Sequence, residues 1–300
     1  MVNPLLPRQK RYAKAIKPGR PEYTWPEGKR LAVWFAMNIE VFAFGEGVSP
    51  DAVSTTSPPT LRNFAWRDYG NRVGIWNLFD LFDDLGIPMS CLTNSLIYDE
   101  YPEIVARMRE RGDPVVGHGR TNAENARGMW EGDEQAMIAE ATTTIEKHEG
   151  RPPKGWLGPG AIESPVSPDL LKEAGYTYVL DWPCDDTPVW LDTRAGKILS
   201  VPYPFELNDI GQIVWRQHTA REFADMMVDQ FEELLRQSEE RPVVYCCSLH
   251  TYIAGQPFRL TPIRKAMKHI VEHPERDKVW YTSSDAIADY CYELEPGLIP

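Results

Sequence analysis

Cysteine is scarce in this 300-residue chain: there are five, an odd number, and no pair has C-x-x-C spacing. That argues against a disulfide framework and for reduced thiols in a cytosol. Cys246 and Cys247 are chain neighbours, so on a strand they point to opposite faces and do not pair with each other. Positive charge is in deficit too, with 32 Lys and Arg against 44 Asp and Glu, a net charge of -12 and a pI near 5.1. With no basic cluster to offset that field, nucleic acid and anionic membranes are poor partners. Long apolar runs are missing. None would span a bilayer, and the opening Met1-Val2-Asn3-Pro4 has no apolar signal segment, so a cytoplasmic protein is the expectation. What is plentiful is hydrophobic residue, at 42% enough for a substantial core, together with 26 prolines and 10 tryptophans. The last two suggest rigid loops and an aromatic-rich pocket or interface rather than disorder.

Residues 1–29 are basic, proline-bearing and aperiodic, and read as an N-terminal arm packed on a neighbour. Residues 30–294 show no composition break and read as one catalytic domain. Within it, apolar runs of strand length at 30–37, 88–93, 113–117, 155–158, 178–181, 198–202, 243–249 and 279–282 alternate with amphipathic helical patterns. Glycines such as Gly86, Gly112 and Gly175 close the helices. This alternation predicts a parallel sheet of about seven strands closed into a barrel. A helix is expected over 68–84, with Val73, Trp76, Leu78, Phe79 and Phe82 as its apolar face, and another over 262–273. The long stretch 44–63, rich in Gly, Ser and Pro, reads as a mobile lid.

In such folds the chemistry lies on the loops just past the strands. There stand Asn38 and Glu40, two apart and so on one face; His118 and Asn122; Trp156 to Pro159; Asp181-Trp182 with Asp185-Asp186; and His250, which follows the apolar run VVYCCSL. His118 sits between Gly117 and Gly119, which let another backbone or a substrate approach the ring. Each has a structural alternative. His118 and His250 can be satisfied core histidines, Glu40 can pair with an arginine, and Asp185-Asp186 can be a solvated turn. Five polar strand ends on one rim make an all-structural reading the weaker one.

These residues resemble the motifs of the polysaccharide deacetylase (NodB-homology) superfamily, in order over roughly residues 30–290. The resemblance implies a distorted (β/α) barrel. It places Asn38 and Glu40 at the family's aspartate base and acidic metal ligand, His118 and Asn122 at its two histidine ligands, and His250 at its strand-terminal catalytic histidine. Leu157 stands at the arginine of the Arg-x-Pro signature, with Pro159 retained. Asn38 cannot act as a carboxylate base, and the arginine that would serve such a base is missing as well. Asn122 offers a weak amide oxygen where zinc would favour imidazole. Longer elements, Arg67 to Gly74, Gly155 to Gly160 and Gly255 to Arg259, resemble a branch of cofactor-independent allantoinases and cyclic imide hydrolases.

The resemblance therefore implies a hydrolase of non-peptide C–N bonds that opens a small cyclic amide or imide. Glu40, His250 and His118 are the expected catalytic groups. Asn38, Arg72 and Asn122 are expected on the carbonyl oxygens, and Trp156, Pro159, Trp182 and Tyr252 on the walls. No cofactor is assured. A weakly held, zinc-like divalent ion on Glu40, His118 and Asn122 is what the motif allows. The alternatives are a metal-dependent N-deacetylase of amino sugars or polysaccharide, and a catalytically silent binding barrel. The branch also implies a homo-oligomer, a dimer or tetramer.

Overall fold

A computed structural model describes residues 9–44 and 60–300 of the chain. Its organising element is strand β1, Leu31–Ile39, with all nine residues buried. Burial on both faces is what a continuous apolar run demands. Alternate side chains serve different cores: Leu31, Val33, Phe35 and Met37 pack under the helices, whereas Ala32, Trp34 and Ala36 face the barrel interior. Trp34 fills that interior between two alanines, and its truncation to alanine would cost about 3–5 kcal/mol.

The sheet contains β1, β2 (Ser90–Thr93), β3 (Val115–Gly117), β4 (Gly155–Trp156), β5 (Tyr178–Val179), β6 (Val189–Thr193), β7 (Gly196–Ser200), β8 (Val243–His250) and β9 (Val279–Tyr281). The spatial order is β6-β7-β5-β4-β3-β2-β1-β8, with β9 pairing to the start of β1. Every pairing is parallel except the β6/β7 hairpin. The sheet curls into a half-barrel, and its end strands β6 and β8 do not pair among the described residues. The barrel expected from the alternation is thus the distorted form. The hairpin strand β6 is absent from the sequence reading because its pattern is too mixed to stand out.

Register decides where the functional groups meet. Asn38 pairs with His250, Ile39 with Thr93, Thr93 with Gly117, and Gly117 with Trp156. The carboxyl ends of five strands are therefore level, and the loops beyond them share one rim.

Two expected helices differ in ways that matter below. Instead of one helix over 68–84, helix Leu61–Tyr69 runs through a π-helical turn, Gly70–Gly74, into helix Ile75–Leu85. A π-turn inserts about one extra residue and rotates the following face. Leu78, Phe79 and Phe82 are buried as the periodicity predicts, but Val73 and Trp76 are 41% and 37% exposed. The helix expected over 262–273 begins at Pro257 and keeps Pro262 inside it, ending at Val271. Pro257 occupies the first turn, where a missing N–H is harmless, so it starts the helix rather than blocking it.

Of the arm, residues 9–29 lie on this chain's own domain. Arg11 bonds both carboxylate oxygens of Asp169 at 2.7 and 2.5 Å, and Arg20 does the same to Asp185. Trp25 is fully buried, with Nε1 donating to Val243 O at 3.1 Å. A lone tryptophan in an aperiodic stretch carries no periodic signal, so its place in the core could not be read from the sequence. The lid reading falls mostly on residues 45–59, which lie outside the described residues; residues 61–63 are already helical.

Candidate active site

The floor of the site is the end of β1. Asn38 and Glu40 lie on one face, and both are almost fully buried. Backbone hydrogen bonds lock this end to its neighbours. Asn71 Nδ2 donates to Glu40 O at 2.7 Å, Val41 N donates to Asn94 Oδ1 at 2.9 Å, and Thr121 Oγ1 donates to Val41 O at 2.7 Å. Asn94 Nδ2 in turn donates to His118 O. The π-turn is what carries Asn71 inward, and the same rotation leaves the next residue, Arg72, outside.

Four side chains converge on the floor. Glu40 Oε1 accepts from Asn122 Nδ2 at 2.9 Å and lies 3.4 Å from His118 Nε2 and 3.7 Å from His250 Nε2. The two rings are backed differently. His118 Nδ1 is 2.8 Å from Leu157 O, and a carbonyl only accepts, so Nδ1 carries the proton. His250 Nδ1 is 2.7 Å from Asp209 Oδ1, while Asp209 Oδ2 accepts from His250 N at 2.8 Å. Burial pushes the His250 ring down, but the Asp209 and Glu40 carboxylates more than reverse this and hold it above its ordinary value. Burial likewise pushes the Glu40 carboxyl up, yet His250, His118 and Arg67 hold it below the usual carboxylate range. Each group thus favours the charged form of the other.

Asn38 does something other than the sequence suggests. Its amide nitrogen donates to Ser248 Oγ at 2.9 Å and to Leu249 O at 3.0 Å, so both N–H groups are engaged within the protein. No donor is left to meet a substrate carbonyl. Asn38 lines the cavity as a locked structural amide.

The cavity over this floor is about 610 Å³, within the range of small-molecule sites. Asn38, Glu40, His118, Asn122, Pro159 and His250 line it, together with Asp181 and Arg127. Its apolar side includes Ile162, Tyr203, Phe205 and Trp215, residues that sequence reasoning passed over because they stand on irregular segments or, for Trp215, on a π-helical turn. Arg72, expected on the carbonyl oxygens, and the expected wall residues Trp156, Trp182 and Tyr252 lie elsewhere. Arg72 has a side chain 72% exposed and sits 3.8 Å from Asp68. Trp156 is buried edge-on against Tyr176, and Trp182 Nε1 donates to Glu163 Oε2 at 2.8 Å. Tyr252 is buried beside His250, with ring centroids 5.7 Å apart. The glycines flanking His118 explain part of this. A Cβ on Gly117 would come 2.9 Å from the Trp156 ring, and one on Gly119 (φ +68°) 2.5 Å from Pro159 Cγ. They admit neighbouring side chains, not a substrate.

Asp209 is the main residue of the candidate site missed by sequence reasoning. It precedes a π-helical turn, Ile210–Trp215, rather than ending a strand. The segment is nevertheless pinned to the sheet, because Asn208 bridges to Ser248. A second miss is the peptide unit joining Leu157 to Gly158. Its carbonyl accepts from His118, and its N–H donates to both oxygens of Asp181 at 2.9 and 3.1 Å. A carboxylate thus buttresses His118 through one peptide plane. Burial raises the Asp181 carboxyl to about 6, and burial with the nearby Asp181 charge raises Glu163 as well.

The floor suits a divalent cation. Glu40 Oε2 and Asn122 Oδ1 are buried acceptors without a hydrogen-bond partner among the described residues. With a proton held on Nδ1 by the Leu157 carbonyl, His118 presents Nε2 to Glu40 Oε1 at 3.4 Å. A proton on Nε2, or a cation in its place, satisfies that pair. One imidazole, one carboxylate and one amide oxygen form an open three-ligand set, weakened by the amide. Asp185 plays no part here, being held by Arg20.

Residues 67–179 match the family model described as polysaccharide deacetylase. A candidate polysaccharide deacetylase of Schizosaccharomyces pombe is 25% identical over 304 residues, covering 90% of this chain and 93% of that protein. The peptidoglycan deacetylase of Helicobacter pylori is 20% identical over 307 residues, covering 89% and 98%. Among solved structures, the PuuE allantoinase superposes with a TM-score of 0.82 at 22% identity, covering 93% of this chain and 96% of that one. That last likeness is one of fold.

Proposed function

We propose, from the premise that this chain is a hydrolase of the polysaccharide deacetylase superfamily, that it opens the ring of a small cyclic amide or imide. The observation that carries the reading is the state of Asn38. The family's base position holds an amide whose N–H groups are both engaged, and Leu157, 1% exposed, fills the place of the arginine that would steady a base there. The attacking water must therefore lose its proton elsewhere. Of the two carboxylates among the described lining residues, Asp181 is held by Gly158 N, whereas Glu40 has its carboxyl held below the usual range and Oε2 unpartnered.

In this reading Glu40 Oε2 takes the proton as water adds to the ring carbonyl. His250, held protonated by Asp209, delivers a proton from Nε2 to the departing ring nitrogen. The C–N bond breaks, and the product carries a carboxylate at one end and the released amide nitrogen at the other. A divalent ion on Glu40, His118 and Asn122 would polarise the carbonyl and offset the developing oxyanion. The flat side chains Phe205, Trp215 and Tyr203 along the cavity suit a small planar ring. Arg127 is the single lysine or arginine among the described lining residues. It would favour rings that carry an acidic substituent.

The test is a panel of allantoin, hydantoins, succinimide, dihydropyrimidines and acetylated chitooligosaccharides, read as kcat/KM. Turnover confined to the cyclic compounds supports the proposal. Turnover of the chitooligosaccharides alone would replace it with N-deacetylation, and specific binding without turnover would make the chain a silent metabolite-binding barrel.

A further inference from the structure

Away from the cavity, three potential ligands meet on the outer helical layer. Glu232 lies on helix Ala220–Gln237, His269 on helix Pro257–Val271, and His273 two residues beyond the latter's end. The histidines are four residues apart, so their rings share a face, with centroids 5.6 Å apart. Glu232 reaches across from the neighbouring helix. Its Oε1 lies 2.6 Å from His269 Nε2 and 3.4 Å from His273 Nε2, and the three donor atoms all fall within 4.8 Å of one another. Among the described residues this is the one group of three or more His, Cys, Asp and Glu with that spacing.

We propose that Glu232, His269 and His273 form a binding site for a zinc-class divalent ion that ties the two helices together at the end of the barrel remote from the cavity. The donors are right for it. Imidazole nitrogen suits zinc, nickel and copper, and a carboxylate supplies the charge that two neutral rings lack. Glu232 and His269 are each 45% exposed, which leaves room for water to complete a tetrahedral set, whereas His273 is 11% exposed and held. The Phe231 ring packs edge-on against His273 at 5.4 Å and against Tyr245 at 6.1 Å. Tyr245 precedes His250 by five residues on β8, roughly 16 Å at strand rise. The bound ion is therefore structural, not catalytic. One contact opposes binding. His273 Nδ1 accepts from Glu275 N at 3.2 Å, and a ring bound through Nε2 carries its proton on Nδ1. That contact must break or the ring must turn over, which places the affinity in the micromolar range.

The experiment uses the full chain, stripped with chelator and titrated with zinc by calorimetry and by thermal unfolding. His118→Asn serves as a background in which the cavity ligands are disabled. One micromolar zinc per chain is expected there, with Tm rising by a few degrees, and both effects should vanish on adding His269→Gln. His269 is nearly half exposed, so that variant keeps the fold and, in the otherwise wild-type chain, the activity. Should His118→Asn fail to fold, Glu232→Gln and His269→Gln in the wild-type chain must each remove one zinc equivalent. Zinc stoichiometry unchanged by these substitutions, or binding weaker than millimolar, overturns the site.

Discussion

The two buried histidines face Glu40 from opposite halves of the site, and their supports are opposite in kind. His118, on the loop after β3, is backed by a neutral carbonyl, which leaves Nε2 as an acceptor. His250, at the end of β8, is backed by the Asp209 carboxylate, which favours the imidazolium and keeps a proton on Nε2. In the proposed reading the same ring serves as a ligand on one side and as a proton donor on the other. What assigns the roles is the atom behind each ring, a distinction invisible in a motif that records only histidines.

The largest effect should come from removing what both halves address. Glu40→Gln preserves shape and loses the base, so kcat/KM should fall by about 10²–10⁴-fold with little change in Tm. In the wild type the profile of kcat/KM against pH should be bell-shaped. Its acid limb lies below the ordinary glutamate value of 4.5, because Glu40 is held ionised, and its alkaline limb lies above 6.5, because His250 is held protonated. An alkaline limb at or below 6.5 would remove His250 from the acid role.

Asp209→Asn is the sharper instrument, since it gives His250 a neutral support like that of His118. A loss of about 10–100-fold is expected, as for other groups that act through a catalytic ring. The alkaline limb should move down towards 6.5 while the acid limb stays nearly fixed. The stability contributed by His250 is present below its unfolded value and is lost as pH rises through its raised native value. That dependence should shrink in the variant, measured as denaturation midpoint against pH.

Asn38→Asp asks whether the family's base can be restored. It would point a carboxylate at Leu249 O, an acceptor, with Leu157 where an arginine would be needed. We expect a destabilisation of about 1–3 kcal/mol, loss of turnover on cyclic substrates and no gain on acetylated sugars. A rise in acetamide hydrolysis would favour the N-deacetylase reading over ring opening.

The smallest effect belongs to Asp181, which supports His118 through the Leu157–Gly158 peptide. Asp181→Asn keeps an acceptor for Gly158 N, so activity should change by less than about tenfold. Its signature lies in stability. The native carboxyl titrates near 6 and the unfolded one near 3.8, so between those values the native chain binds more protons. Wild-type stability therefore falls as pH rises through that interval, and the variant should lack this fall.

These expectations mark how far the sequence reaches. The strands, the rim and the pairing of Asn38 with Glu40 follow from apolar periodicity, and so does the convergence of His118, Asn122 and His250. Arg72 and Trp76 do not, because a π-turn breaks the helical phase that the reading assumed. Asp209 and the Asp181 support do not either. One stands before a π-turn, and the other acts through a backbone plane, so neither leaves a side-chain spacing to detect. Asn38 was legible as a lost base, but the engagement of its N–H groups depends on Ser248 and Leu249, some two hundred residues away.

The crossing of the π-turn with the segment after His250 is closed to any side chain. A Cβ on Gly70 would come 2.7 Å from Tyr252 N, one on Gly74 would strike Thr251 O, and one on Gly255 would come 2.5 Å from the Gly74 backbone. Asn71, within that turn, grips Glu40 O, and Thr251 follows directly on His250. Glu40 and His250, the proposed base and acid, are therefore mounted on a single bracket, with backbone lying against backbone. The His118 loop is tied to the same strand end through different bonds, Val41 N to Asn94 Oδ1 and Thr121 Oγ1 to Val41 O, so both sides of the floor are referenced to β1.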